Sequence, residues 1–167
     1  MSHDRLFAPL LIVALVAVSA LPADAQRRRD RDRDRDDVVS RLDTTLALSR
    51  GGTVELEGAE GEMTVTASTG DQVRIRATSE RGEIRVDATS SRIHVQSVAM
   101  GWGDVRYDVS VPAGTHLVLS GQSTDIQVRG TGGRVEARTQ NGDIEITGAM
   151  QVEVNALNGD VDLQNVE

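Results

Sequence analysis

The sequence predicts an all-β protein, because short runs of alternating apolar and polar residues continue from about residue 42 to the end of the chain. Alternation with a period of two is typical of a strand that buries one face. Residues that favour turns, mainly glycine, asparagine, aspartate, serine and threonine, separate the runs. No segment in this part shows helical periodicity. The spacing of the runs further favours a β-solenoid whose short strands meet at Gly/Asn/Asp corners.

The first 25 residues are typical of a secretory signal peptide. Arg5 precedes the apolar run LFAPLLIVALVAVSAL, which is short for a spanning helix, and Ala23-Asp24-Ala25 provides small residues for cleavage before Gln26. We therefore expect an exported protein, periplasmic or secreted, with no transmembrane span after cleavage. The chain has no cysteine, so we expect neither a disulfide framework nor a lipid-modified cysteine.

A charged, low-complexity segment follows the signal peptide. RRRDRDRDRDD contains no apolar residue that could be buried, which predicts a disordered linker over residues 26–41. An electrostatic tether to an anionic surface is the alternative, but its arginines and aspartates nearly cancel. The folded domain is then expected over residues 42–167. The net charge of −8 disfavours nucleic acid as a partner.

Each predicted strand follows from one alternating run that ends at turn-forming residues. For example, TVELE follows Gly51-Gly52, VRYDVSV ends at Pro112, and DIEIT ends at Gly148. In chain order, the runs cover residues 45–48, 53–57, 63–67, 72–77, 83–88, 92–97, 105–111, 116–120, 125–129, 134–139, 143–147, 152–157 and 160–164. Because each is short and has one apolar face, the strands must stack on many neighbours to make a continuous interior.

The apolar positions of these runs give a predicted interior, with the remaining positions pointing outward. This set comprises Val54, Leu56, Met63, Val65, Val73, Ile75, Ile84, Val86, Ile93, Val95, Leu117, Leu119, Ile126, Val128, Val135, Ala137, Ile144, Ile146, Val152, Val154, Val161 and Leu163.

A repeated turn sets the predicted architecture. Asn-Gly-Asp occurs at residues 141–143 and again at 158–160, and Ser-Thr-Asp at residues 123–125 is a degenerate first copy. Strands arrive every eight or nine residues, so the turn marks every second boundary and the repeat is two strands long. Gly142 and Gly159 permit positive φ at a sharp corner, as a solenoid coil requires.

An antiparallel β meander or sandwich is the alternative fold, because Asn-Gly is also a strong signal for a two-residue hairpin. Alternation alone does not exclude it. The doubled period favours the solenoid, since a meander gives no reason for odd and even turns to differ.

The chain resembles the bacterial β-strand-repeat family of unknown function whose members are described as adhesin-like. The resemblance rests on a signal peptide, GGTVELEGAEGEMTV, YDVSVPAGTHLVLSGQSTDIQVRG and the repeated NGDIEI and NGDVDL units, and covers about residues 42–167. It implies a right-handed, single-stranded β-helix in an envelope or secreted protein. Members usually continue through further coils, so the chain is either truncated at its C-terminus or covered there by another chain, through end-to-end contact or a homo-oligomer.

Three aspartates are candidate calcium ligands. Asp125, Asp143 and Asp160 are expected in a column along one edge of the solenoid, and repeated aspartates bind calcium in some β-helices. The alternative is that each carboxylate accepts a backbone N–H at its own corner. The nine-residue calcium-roll pattern is absent, which favours the alternative, so no cofactor is required.

Four charged residues are candidates for a binding or catalytic face. Arg74, Arg76, Arg85 and Asp87 are expected on adjacent strands with their side chains on the same outer face. Some β-helix lyases cleave saccharides with arginines and acids, but the aromatic stacking residues of a sugar groove are missing. Cross-strand charge pairing that keeps the surface soluble is the alternative.

Trp102 and the histidines complete the candidates. Trp102, flanked by Gly101 and Gly103, is either a binding contact at a loop tip or a plug for one end of the interior. His94 and His116 are expected at the surface, without a triad or zinc spacing.

These observations predict an exported, non-enzymatic scaffold or binding module whose partner is a protein or glycan of the cell envelope. No residue is identified as catalytic. A polysaccharide-active, lyase-like enzyme on the same fold is the alternative.

Overall fold

The computed structural model describes residues 40–98 and 103–167, and in these ranges every regular element is a β-strand. The predicted signal peptide and nearly all of the linker lie outside the described residues. No helix of the described part is long and apolar enough to cross a membrane. The strands are β1 (Ser40–Ala47), β2 (Thr53–Ser68), β3 (Gln72–Ser79), β4 (Glu83–Ala88), β5 (Arg92–Val98), β6 (Val105–Pro112), β7 (His116–Arg129), β8 (Arg134–Asn141), β9 (Ile144–Thr147), β10 (Gln151–Asn158) and β11 (Val161–Gln164).

Two long strands, β2 and β7, form the parallel centre of the sheet. They pair along both of their halves, from Thr53 opposite His116 to Thr66 opposite Arg129. On its other side, β2 pairs with β5 through its first half and with β6 through its second half, in both cases parallel. On the far side of β7, β8 pairs with the first half and β9 with the second.

The last four strands continue this parallel arrangement. β10 pairs with β8 and β11 pairs with β9, each in register, so that Val152 lies opposite Val135 and Val161 opposite Ile144. Hydrogen bonds at the equivalent aspartates join residues 18 and then 17 positions apart. The two-strand repeat read from the sequence is therefore present in the pairing of residues 116–164.

Several pairs among the first six strands are antiparallel, which the favoured solenoid did not predict and the alternative fold did. β3 pairs antiparallel with both β1 and β6, and β4 pairs antiparallel with β5. The fold is all-β with a mixed sheet that does not close on itself within the described residues. A solenoid for the whole domain is therefore not confirmed.

The asparagine–glycine corners are not hairpins. The strands on either side of Asn141-Gly142 pair with other levels of the sheet and not with each other. The tight hairpin of the domain lies instead at Thr89–Arg92, where the Thr89 N–H donates to the Arg92 carbonyl at 2.7 Å. The turn residues alone therefore did not show which connection is a hairpin. Residues far apart in the chain determine which strands pair.

Close stacking explains why glycine occupies these corners. Gly142 and Gly159 have φ of 140° and 137°, as predicted. A Cβ on Gly142 would lie 2.3 Å from the Thr124 carbonyl oxygen, and one on Gly159 would lie 2.1 Å from that of Gly142. Successive levels therefore approach too closely at this corner for any residue other than glycine, because every other residue has a Cβ.

The interior is largely the one predicted. Residues of the predicted set that are buried are Val54, Leu56, Met63, Val65, Val73, Ile75, Ile93, Val95, Leu117, Leu119, Ile126, Val128, Val135, Ala137, Ile144 and Ile146. Ile84, Val86, Val152 and Val154 are partly buried and pack against this core. Aliphatic side chains on the inner faces of β2, β3, β5, β7, β8 and β9 thus account for most of the core.

The predicted interior includes residues that are exposed and omits residues that are buried. Val161 and Leu163 are 45% and 42% exposed, because β11 pairs only with β9 among the described strands and no further strand covers its inner face. The alternate residues of β6 were placed outside but are buried, because β6 lies between β3 and β2 and not at an edge. These residues are Val105, Tyr107, Val109 and Val111.

Candidate binding surface

Arg74 and Arg76 lie on β3, between β1 and β6, and both contact one carboxylate. Arg74 donates from Nε and Nη2 to the two Asp43 oxygens at 3.3 and 3.2 Å. Arg76 lies 3.7 Å from Asp43 Oδ2 through Nε and 3.9 Å from Asp108 Oδ2 through Nη1. The hydrogen bond from Arg74 lowers the pKa of the Asp43 carboxyl below its ordinary value. All four side chains are about half exposed, so these pairs are screened by solvent.

An open cleft of about 330 Å³ lies beside these ion pairs. Its walls include Arg41 of β1, Arg76 of β3 and Arg106 of β6, with Asp43 and Asp108. Arg106 also donates from Nε to Glu62 at 3.2 Å, and its side chain is 74% exposed. Three arginine residues from three neighbouring strands therefore border one depression. We call this feature the arginine cleft.

Arg85 and Asp87 do not join that face, which corrects the expectation that they lie on a strand adjacent to Arg74 and Arg76. They lie on β4, which pairs with β5 through the Thr89–Arg92 hairpin, whereas β3 pairs with β1 and β6. Arg85 contacts Glu83 on its own strand, with Nη2 3.2 Å from Oε2. The outer charges therefore fall into separate groups.

A second mixed-charge group on β8 and β10 was missed in the sequence. Arg134 Nη2 lies 3.1 Å from Glu136 and 3.3 Å from Glu153, and Arg138 lies 3.5 and 3.7 Å from the same two carboxylates. The alternation in RVEAR and VEV placed these residues outward. The contact between them depends on the β8–β10 register, which one strand alone does not reveal.

The three candidate calcium ligands form a hydrogen-bonded column. Asp125 Oδ1 accepts the Asp143 N–H at 2.9 Å, and Asp143 Oδ1 accepts the Asp160 N–H at 2.9 Å. The Asp125 and Asp143 carboxylates thus each cap the backbone of the next level, and not of their own corner. Beside this column, Asn158 Nδ2 donates to Asn141 Oδ1 at 3.1 Å. A bound calcium ion stays a prediction, although these backbone bonds already stabilise the negative charges.

A further cluster, also missed, contains both carboxylates and an imidazole. One ligand atom from each of Glu55, Glu57 and His94 lies within 4.8 Å of the other two, the only such group of metal-binding side chains in residues 40–98 and 103–167. The signal in the sequence was the spacing of Glu55 and Glu57, which places both on the outer face of β2. The position of His94 beside them follows from the β2–β5 register.

Trp102 lies outside the described residues, so neither interpretation of it is tested.

Comparison with known proteins gives weak structural similarities only. No family model matches the chain, and no curated protein matches its sequence. A solved structure described as a "putative cell adhesion protein" from Clostridium sporogenes is similar, with a TM-score of 0.49 and 8% identity, over 77% of this chain and 100% of that one. One described as a "putative adhesin" from Bacteroides fragilis has a TM-score of 0.27 and 10% identity, over 74% of this chain and 97% of that one. With such low TM-scores and identities, these similarities do not determine the activity of this chain.

Proposed function

We propose that this chain is an exported, non-enzymatic binding module of the adhesin-like kind, which holds an acidic glycan of the cell envelope at its arginine cleft. The architecture proposed with it is a right-handed coil with two strands per level. The parallel in-register pairing of residues 116–164 supports the coil, and the strong preference of parallel crossovers for right-handed connections supports its hand.

The observation that carries the proposal is the arginine cleft itself. Guanidinium groups bind carboxylate, sulfate and phosphate through planar, two-pronged hydrogen bonds. The Arg76 and Arg106 side chains are 53% and 74% exposed, so they can exchange their present partners for a ligand at small cost. The predicted export would bring this surface to envelope polysaccharides.

A glycan array with acidic and neutral polysaccharides tests the proposal. We expect the chain to bind acidic members, and the double variant R76Q/R106Q to lose at least about tenfold in affinity if each lost contact contributes about 1 kcal/mol or more. The control R134Q/R138Q removes the same two charges from the β8–β10 group and should leave affinity within about twofold. Equal binding by wild type and R76Q/R106Q would contradict the assignment of the cleft.

The same polysaccharides distinguish the lyase alternative. A binding module releases no shortened or unsaturated products from them, whereas a lyase does so with turnover that R76Q reduces. Fractionation of cells that express the full chain tests export independently, because recovery of the protein only in the cytoplasm would contradict it.

A further inference from the structure

We propose that Glu55, Glu57 and His94 form a binding site for a divalent transition-metal ion, for which Zn²⁺ is the best-matched probe. This site lies on β2 and β5, whereas the arginine cleft is formed by residues of β1, β3 and β6. The proposal is independent of the glycan-binding function.

The imidazole of His94 is held as a metal ligand would be. Its Nε2 atom is inaccessible to solvent and has no hydrogen-bond partner among the described residues. The nearest carboxylate oxygen, Glu57 Oε2, is 3.7 Å away, which is too far for a hydrogen bond. A buried ring nitrogen that faces two carboxylates without a hydrogen bond is an unusual arrangement for a surface histidine, and a bound cation would satisfy it.

Two backbone features position the ligands. Glu55 and His94 are direct partners in the parallel β2–β5 pair, so their side chains leave the sheet side by side. The Tyr107 hydroxyl donates to the Glu57 carbonyl at 2.8 Å, which fixes the backbone of Glu57 from inside the core. On the other side of β5, Asp87 lies opposite His94 and adds negative charge near the site.

The ligand types match a metal that accepts nitrogen and oxygen donors. Imidazole suits zinc and other late transition metals, and carboxylates complete many such sites. Donor atoms around one zinc ion lie about 3.3–3.5 Å apart when each bond is about 2.0–2.1 Å long. The three atoms here lie within 4.8 Å of one another, so both Glu55 and Glu57, whose side chain is 47% exposed, would have to rotate toward His94 to close the site.

One of the three proposed ligands, Glu57, borders a depression. This shallow depression has a volume of about 340 Å³ and is also lined by Gly58, Gln96 and Gly121. Three protein ligands with an accessible side are typical of zinc sites that keep water or a ligand in the open position.

Arg92 would compete with the metal ion for the Glu55 carboxylate. Its guanidinium donates to Glu55 Oε2, with Nε at 3.0 Å and Nη2 in closer contact. Both contacts use Oε2, which leaves Oε1 available to a metal. The Arg92 side chain is 62% exposed, so it can move away when a cation binds.

Zinc titration of the untagged chain by calorimetry, with Co²⁺ absorption as a spectroscopic probe of histidine coordination, tests the site. We expect one Zn²⁺ per chain and a Co²⁺ spectrum in the visible range. H94A and E57Q should weaken binding at least about tenfold and alter the spectrum. R92Q should bind more tightly than wild type, because the competing cation is removed.

The controls separate a site from diffuse attraction to an acidic protein with a net charge of −8. H116A removes an exposed histidine of β7 and should bind like wild type. Circular dichroism establishes that each variant is folded, and E57Q, at an exposed side chain, keeps the test valid if H94A does not fold. Absence of Zn²⁺ binding, equal binding by wild type, H94A and E57Q, or equal affinity for Ca²⁺ and Zn²⁺ would each overturn the proposal.

Discussion

At the scale of single residues, Tyr107 joins the core to the candidate metal site. It is the only tyrosine of the chain, its ring is buried, and its hydroxyl donates to the Glu57 carbonyl at 2.8 Å. Burial, together with the negative charge of Glu57, raises the pKa of Tyr107 well above its ordinary value of 10.0. The neutral phenol is therefore favoured in the folded state.

The raised pKa of Tyr107 predicts a stability that falls with alkaline pH. The folded chain keeps the phenol proton more tightly than the unfolded chain, so the stabilisation is complete below about pH 10 and is lost as pH rises from the unfolded pKa toward the folded one. Near-ultraviolet absorbance should show no phenolate in the folded chain around pH 10, and a normal titration in denaturant. A normal titration of the folded chain would mean that the ring is accessible to water.

Gly142 is the residue at which the close approach of levels is most easily tested. G142A adds a Cβ 2.3 Å from a backbone oxygen, at a φ of 140°, so backbone atoms must shift. We expect it to destabilise the fold by more than about 3 kcal/mol in urea unfolding. G132A is the matched control, because φ is also positive, at 59°, but nothing lies within 4 Å of the added Cβ. It should cost about 1–2 kcal/mol, and equal losses for the two would remove the argument from close approach.

At the scale of elements, the aspartate column connects Asp125, inside β7, with Asp143 and Asp160, which immediately precede β9 and β11. Each of its two internal bonds joins a carboxylate on one level to a backbone N–H on the next. The Asp143 and Asp160 N–H groups thereby each have an acceptor on the level before them. The column thereby helps to fix the stacking register.

Substitutions of Asp143 separate hydrogen bonding from charge. D143N keeps an acceptor oxygen and removes one of three neighbouring negative charges, so we expect stability equal to or above that of wild type at low salt. D143A leaves the Asp160 N–H without its acceptor and should lose about 0.5–1.5 kcal/mol. Chemical unfolding measures both. If Ca²⁺ stabilises wild type but not D143N, the calcium interpretation is favoured over simple backbone capping.

The sequence predicted elements better than their partners. The alternation in runs such as QVRIRA and DIEIT fixed strand type and inner face, because burial in a sheet follows from local periodicity. The Asn-Gly-Asp spacing also predicted the 17- to 18-residue offset of the last strands. The antiparallel pairs of β3 with β1 and β6 had no local signal, since partner choice depends on contacts between residues far apart in the chain.

The same dependence on distant strand pairing explains why parts of the candidate sites were missed in the sequence. Arg76 was identified from its outward position, but Arg41 and Arg106 reach the same cleft only through pairing of three strands. His94 was placed at the surface, and its proximity to Glu55 and Glu57 follows from the β2–β5 register. A side chain's direction was thus readable from the sequence, whereas its neighbours on the next strand were not.

At the scale of the whole molecule, β10 and β11 form an exposed edge of the sheet. β10 and β11 each have one hydrogen-bonded neighbour among the described strands, and large apolar residues are exposed there, namely Leu157, Val161 and Leu163. Unpaired backbone groups beside exposed apolar side chains are a typical route to association of strands from different chains.

We therefore predict concentration-dependent self-association of the chain through β11. The double variant V161K/L163K should reduce it, because lysine on an edge strand opposes pairing with another edge. Sedimentation velocity over a series of concentrations measures the effect. V98K is the control, since Val98 is also exposed but lies on β5, which has neighbours on both sides. A wild-type chain that stays monomeric throughout would contradict the prediction.

The in-register offset of 17 to 18 residues has a consequence for how such a chain can change its length. The last two levels share the corner glycine and the aspartate, as Gly142-Asp143 and Gly159-Asp160, and their strands pair in register. A tandem duplication of one such unit would insert a layer that fits both of its neighbours, whereas loss of a single residue would turn a whole strand inside out. Genes for proteins of this construction are therefore expected to grow and shrink in whole layers.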